Sequence, residues 1–143
     1  MKNEEELIRA ALQAREAAYA PYSQYKVGAA LLGKSGRIYT GCNVENASYG
    51  ATICAERAAV VKAVSEGEKE FDALTVAVDG EVPSSPCGIC RQFLAEFGTE
   101  LRLILVNLKG DRVDATLEEY LPEAFTPKRL SKGNRRVYGT GNQ

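Results

Sequence analysis

The 143-residue sequence contains no histidine and no tryptophan, and only one methionine. The missing histidine excludes the most. Without an imidazole there is no His-based triad, no imidazole general base and no nitrogen side-chain ligand of the usual kind for a metal. Any metal must be held by thiolates and carboxylates, and any catalytic proton must ride on a carboxylate, Lys, Tyr or Cys. An excess of charge is missing too. Eighteen Lys and Arg stand against 19 Asp and Glu, so no global field recruits a polyanion and a nucleic-acid polymer is not the expected partner. No stretch approaches the roughly 18 apolar residues that a membrane span needs, and the opening MKNEEELIRA lacks the apolar core of a secretory leader. These absences predict a soluble, cytoplasmic protein without a membrane partner. Four cysteines are too sparse for a disulfide scaffold, and in a reducing compartment clustered thiols more often bind metal or do chemistry.

What is present reads as one domain with a sizeable core. The domain is expected over 1–127, followed by a basic, Gly-containing tail over 128–143 that should fray. Asn3 as N-cap with Glu6 three residues on, and Leu7, Ile8, Ala11, Leu12 and Ala18 at helical spacing, predict an amphipathic helix over 4–19, ended by Pro21. Segments 26–32 and 37–42 flank Gly33, Lys34, Ser35 and Gly36 and read as a hairpin. After a polar, irregular stretch over 43–52, helix is expected over 54–64 and again over 87–97, with Gly67 and Gly98 as stops. Apolar runs at 74–78 and 103–106 read as buried strands, 112–115 as an edge strand and 117–121 as a helical turn. Strand, helix, strand, helix, strand between 37 and 106 predicts two crossover units and an α/β layered fold. If those strands lie in sequence order in the sheet, right-handed crossovers place both helices on one face. Their N-termini then share the edge where open α/β sheets bind ligands.

Three of the four cysteines fall at those helix starts. Cys87 and Cys90 share a helix face, the topology brings Cys54 toward them, and helix N-termini favour thiolate over thiol. The segments Cys54-Ala55-Glu56 and Pro86-Cys87-Gly88-Ile89-Cys90 are what a three-sulfur zinc site needs. Two other readings stay open: a redox Cys-x-x-Cys dithiol, and a closed structural site that also uses Cys42. Cys42 ends a predicted strand and matches no paired knuckle spacing, so a small buried residue is expected there. Glu56 shifts the balance toward catalysis, because a carboxylate beside a metal-activated water can take its proton and deliver it elsewhere. Three thiolates leave a divalent ion with excess negative charge, and Arg57 is the candidate to offset it by donating to sulfur.

The residues also carry a resemblance. The two metal segments, together with Ala20-Pro21-Tyr22-Ser23, Val27-Gly28-Ala29-Ala30-Leu31, Gly41-Cys42-Asn43-Val44-Glu45-Asn46-Ala47 and Leu121-Pro122-Glu123-Ala124-Phe125, resemble the cytidine deaminases of the small, homotetrameric, three-Cys zinc type. The resemblance covers nearly the whole chain. It implies a three-layer α/β/α sandwich on a mixed five-stranded sheet and one zinc per chain, held by Cys54, Cys87 and Cys90. It implies hydrolysis of cytidine and 2′-deoxycytidine to uridine and 2′-deoxyuridine, with release of ammonia, in pyrimidine salvage. Water would add at C4 of the cytosine while Glu56 protonates N3 and then the departing ammonia. By the same resemblance Asn43 and Glu45 contact the ribose hydroxyl, the Ala55 backbone reads the base edge, and Tyr25 stands where the stacking aromatic is commonly Phe. Ala47, Tyr49 and Phe125 match positions presented to a neighbour's pocket, so the site would be complete only in the tetramer. Two alternatives remain. A deaminase for a cytosine-containing antibiotic is nearest, although the polar segment 43–50 and the Ala124-Phe125 pair favour a nucleoside. A zinc-stabilised module placing Lys128, Arg129, Lys132, Arg135 and Arg136 on RNA is the alternative from another class, although such a tail more often solubilises.

Overall fold

A computed structural model describes residues 3–130. Strands β1 (Val27–Gly33), β2 (Ile38–Cys42), β3 (Phe71–Val78), β4 (Arg102–Asn107) and β5 (Arg112–Thr116) form a mixed sheet in the order β2-β1-β3-β4-β5. Helix α1 (Glu4–Arg15) covers one face, and α2 (Ala55–Ser65) and α3 (Gly88–Ala95) cover the other. Two single turns, α4 (Leu117–Tyr120) and α5 (Pro127–Leu130), follow. The result is a three-layer α/β/α sandwich.

Period-two alternation assigns the layers. Leu74, Val76 and Val78 of β3 join Ala29, Leu31, Leu103 and Leu105 against Ala55, Ala59, Val60 and Leu94. The intervening Ala73 and Ala77 join Ala30, Leu32, Ile104 and Val106 against Leu7 and Ala11. Because both faces of β3 and β4 are covered, their sequences are apolar almost throughout. Close approach of the layers depends on two glycines. A Cβ on Gly28 would lie 2.1 Å from the Ala11 carbonyl oxygen, and one on Gly41 would lie 2.6 Å from Ala59 N and 2.7 Å from Ala55 O.

The structure corrects the expected strand neighbours. β2, β3 and β4 do run parallel and in sequence order, but β1 is inserted between β2 and β3, antiparallel to both. The hairpin leaves one edge of β1 free, and β3 pairs with it from Val27↔Val78 to Gly33↔Phe71. The first helix ends at Arg15 rather than at 19, because Tyr19 is drawn into a bridge with Val44. There Tyr19 N donates to Asn43 O at 2.9 Å and Glu45 N donates to Tyr19 O at 2.8 Å. Tertiary pairing here overrides helix propensity. Asn3 occupies the N-cap position without a side-chain cap bond. Residues 131–143, which include Lys132, Arg135 and Arg136 of the basic tail, lie outside the described residues. Within them, Lys128 and Arg129 belong to α5, and Arg129 Nη2 bonds Glu123 Oε1 at 2.7 Å. No helix among the described residues is long and apolar enough to cross a membrane.

Candidate active site and metal centre

The β2–α2 and β3–α3 connections both leave the same edge of the sheet, since β2 and β3 are parallel. Cys54 and Cys87 are the N-cap residues of α2 and α3, with extended backbones (ψ 155° and 172°), and neither thiol is spent on capping its own helix. Cys90 lies in the first turn of α3 and is fully buried. The three sulfurs lie within 4.8 Å of one another. Sulfurs bound at about 2.3 Å to one tetrahedral ion are about 3.8 Å apart, so this cluster needs only a small contraction to hold zinc. Cys42, at the end of β2, is not part of the cluster and is half-buried rather than buried.

The thiols of the cluster share their charge unevenly. A hydrogen bond from Cys90, reinforced by the Arg57 guanidinium, brings the Cys54 thiol down to about 5. Cys90 moves the other way, because it donates to Cys54 and is buried. Arg57 Nη2 donates to Cys54 Sγ at 3.5 Å and carries positive charge against the thiolates. Two residues beyond Cys54, the Glu56 carboxyl is only 5% exposed. Burial raises it to about 7 against the pull of its own backbone N–H, and the Cys54 thiolate adds to the rise.

Cys54, Ala55, Glu56 and Cys87 form one side of a cavity of about 250 Å³. Tyr25, Asn43 and Glu45 line it, as do Ser23, Val27, Thr52, Val76, Val78, Ser84 and Ser85. Asn43 is buried and doubly anchored: Oδ1 accepts from Val27 N at 2.9 Å, and Nδ2 donates to Tyr25 O at 2.8 Å. Each amide atom keeps capacity for one further bond. Glu45 accepts from Tyr22 N at 2.9 Å, Ser23 N at 3.1 Å and the Ser23 hydroxyl, which holds its carboxyl below the usual range and therefore anionic. Gln24, in the left-handed region at φ 63°, turns the chain just before Tyr25.

Three sequence candidates are not brought to this cavity within one chain. Ala47 is exposed, Phe125 is 57% exposed, and Tyr49 is 75% exposed against Tyr22 at a ring separation of 5.9 Å. Tyr49 lines an adjoining depression that shares Ser23, Glu45 and Thr52 with the main cavity. Conversely, sequence reasoning passed over Ser23, Thr52, Ser84, Ser85 and the apolar wall of Val27, Val76 and Val78. The only signal for the serines was position: Ser23 stands within a quoted motif, and Ser84 and Ser85 lie just before the Pro86-Cys87 segment.

The family model for the "Cytidine and deoxycytidylate deaminase zinc-binding region" matches residues 1–106. A cytidine deaminase of Sporosarcina psychrophila is 52% identical over 128 residues, 89% of this chain and 94% of its own length. The chain belongs to the cytidine deaminase family. A second family member, from Halalkalibacterium halodurans, is 50% identical over 126 residues, spanning 87% of this chain and 96% of the relative. Among solved structures, the cytidine deaminase of Burkholderia pseudomallei superposes with a TM-score of 0.82 at 47% identity, covering 85% of this chain and 98% of that one. Membership accounts for the fold and for a deaminase-type zinc-binding region around Cys54, Cys87 and Cys90. A redox dithiol alone would leave Cys54 and Arg57 without a purpose in the cluster.

Proposed function

We propose that the protein is a zinc-dependent cytidine deaminase, converting cytidine and 2′-deoxycytidine to uridine and 2′-deoxyuridine with release of ammonia, in pyrimidine salvage. The observation that carries this reading is that Glu56 shares one wall of the cavity with Cys54 and Cys87, two members of the three-sulfur cluster. Zinc, when bound, supplies the Lewis acidity that makes water a nucleophile near neutral pH. The chain's own groups do the rest. Glu56, poised at about 7, takes the proton of the attacking water and gives it to N3 of the ring, then takes the proton of the new C4 hydroxyl and delivers it to the departing amine, leaving the C4 carbonyl. Water adds at C4, the bond from C4 to the exocyclic nitrogen breaks, and ammonia leaves. Ala55 presents its backbone to the base edge, Asn43 and Glu45 receive the sugar hydroxyl, and Tyr25 offers a ring face to the base. Arg57 offsets the negative charge of the thiolates, so the metal keeps its acidity.

The family model spans nucleoside and nucleotide deaminases, and the cavity lining favours the nucleoside. Among the described residues it contains the anionic Glu45 and no Lys or Arg, so none of these lining residues would pair the charge of a phosphorylated substrate. The exposure of Ala47, Tyr49 and Phe125 supports a homotetramer in which these residues complete a neighbour's pocket, and four unpaired thiols suit the reducing cytoplasm. Incubation with cytidine, 2′-deoxycytidine, cytosine, CMP and adenosine, following ammonia, tests the assignment. The two nucleosides of cytosine should be consumed and the others left. Preferential turnover of CMP, or no turnover by zinc-loaded protein, would refute it.

A further inference from the structure

One contact at the cavity has no part in the proton chemistry. Tyr25 Oη lies 3.1 Å from Ser84 Oγ, joining the segment before β1 to the loop between β3 and α3. Both residues line the cavity; Tyr25 is braced from behind, and so is the start of the loop that carries Ser84. On the first side Tyr25 N donates to Ser23 Oγ at 3.0 Å, Tyr25 O accepts from Asn43 Nδ2, and Ser23 is tied to Glu45. On the second side the bracing is of the loop's start and not of Ser84 itself: the buried Asn107 Nδ2 donates to the carbonyls of Gly80 at 3.0 Å and Glu81 at 3.3 Å, while Lys109 Nζ pairs with Glu81 at 2.7 Å. A Cβ on Gly80 would lie 3.9 Å from Tyr25 Oη, so the phenol tip lies near the start of the loop as well as against Ser84.

We propose that Tyr25 and Ser84 form a latch between two walls of the cavity, and that Tyr25 is thereby a positioning residue for the nucleoside. The hydroxyl pair holds the aromatic ring in place and fixes the loop that runs on through Pro86 to Cys87. Phenylalanine at position 25 would keep the ring and lose the latch. Because both groups are neutral and in reach of water, the bond is a modest one whose gain is preorganisation of the binding surface. The inference rests on the nucleoside reading above.

The test compares zinc-loaded Tyr25→Phe, Ser84→Ala, their double variant and Ser84→Thr with the unaltered protein. Losing one such bond should raise KM for cytidine roughly two- to fivefold and leave kcat nearly untouched. The double variant should be no worse than the worse single, since the same bond is removed once, and Ser84→Thr should restore KM. Amide hydrogen exchange at Val82, Ser84 and Ser85 should quicken in Tyr25→Phe and Ser84→Ala, and nowhere else. Unchanged KM in both single variants, multiplying effects, or a fall in kcat at constant KM would overturn the latch as a positioning device. Absence of turnover by the unaltered protein would instead overturn the nucleoside reading. In that case the exchange comparison decides the latch by itself, and equal exchange at Val82, Ser84 and Ser85 overturns it.

Discussion

Glu56 combines two opposed influences. A carboxylate in the first turn of a helix is stabilised by the macrodipole and by free N–H groups, an effect of about 0.3–1 kcal/mol at exposed sites. Burial acts the other way and prevails, leaving the group at about 7, where it can both accept and return a proton near neutral pH. Glu56→Gln keeps the volume and burial but cannot carry a proton. Its kcat should fall by roughly 10²- to 10⁴-fold with zinc content unchanged, as measured by turnover alongside metal analysis. Retained activity would remove Glu56 from the mechanism. The cysteines and Glu56 were legible in sequence because their meeting depends on local rules, namely residues at helix starts and helices at one sheet edge. Ser84 and Ser85 were not. The approach of Ser84 to Tyr25 depends on β1 lying beside β3, a pairing between segments some 45 positions apart that no local pattern announces.

At the scale of elements, the site is held by how closely α2 lies on β2. Gly41 leaves no room for a side chain against backbone atoms of Ala55 and Ala59. Gly41→Ala must therefore push α2 outward, at a cost of about 1–3 kcal/mol, and displace Cys54 and Glu56 with it. Both the melting temperature and zinc affinity should fall. Gly36→Ala is the contrast: Gly36 has φ 95° and open space around it, so that variant should lose about 1 kcal/mol through backbone strain and keep its zinc affinity. Calorimetry with metal competition on both variants checks the pair; equal zinc affinities would show that helix placement does not govern the site. The elements themselves were largely legible, because β3 and β4 have long apolar runs and the helices have glycine stops. The miss at the end of α1 has a definite cause. Residues 16–19 carry helical spacing, but the backbone pairing of Tyr19 with Asn43 and Glu45 outweighs it.

Across the whole molecule, one carboxylate ties the first helix to the last two strands. Glu4 bonds Arg112 at 2.7 Å and Arg102 at 3.0 Å, and these guanidinium groups, Arg112 foremost, hold its carboxyl down to about 2 from an ordinary value of 4.5. A carboxyl lowered on folding contributes its stability above the unfolded value and loses it as pH falls through the folded one. The melting temperature should therefore decline between about pH 4.5 and pH 2, and Glu4→Gln should flatten that part of the profile. An unaltered slope in the variant would assign the decline to other groups. On the proposed function, a single metal at Cys54, Cys87 and Cys90 makes this cavity a deaminase. That dependence is tested most directly by stripping the protein with a chelator and measuring uridine formed from cytidine as zinc is added back. Activity should be absent at first, rise in proportion to bound zinc and level off at one ion per chain. Turnover by the stripped protein, or full zinc occupancy without turnover, would contradict it.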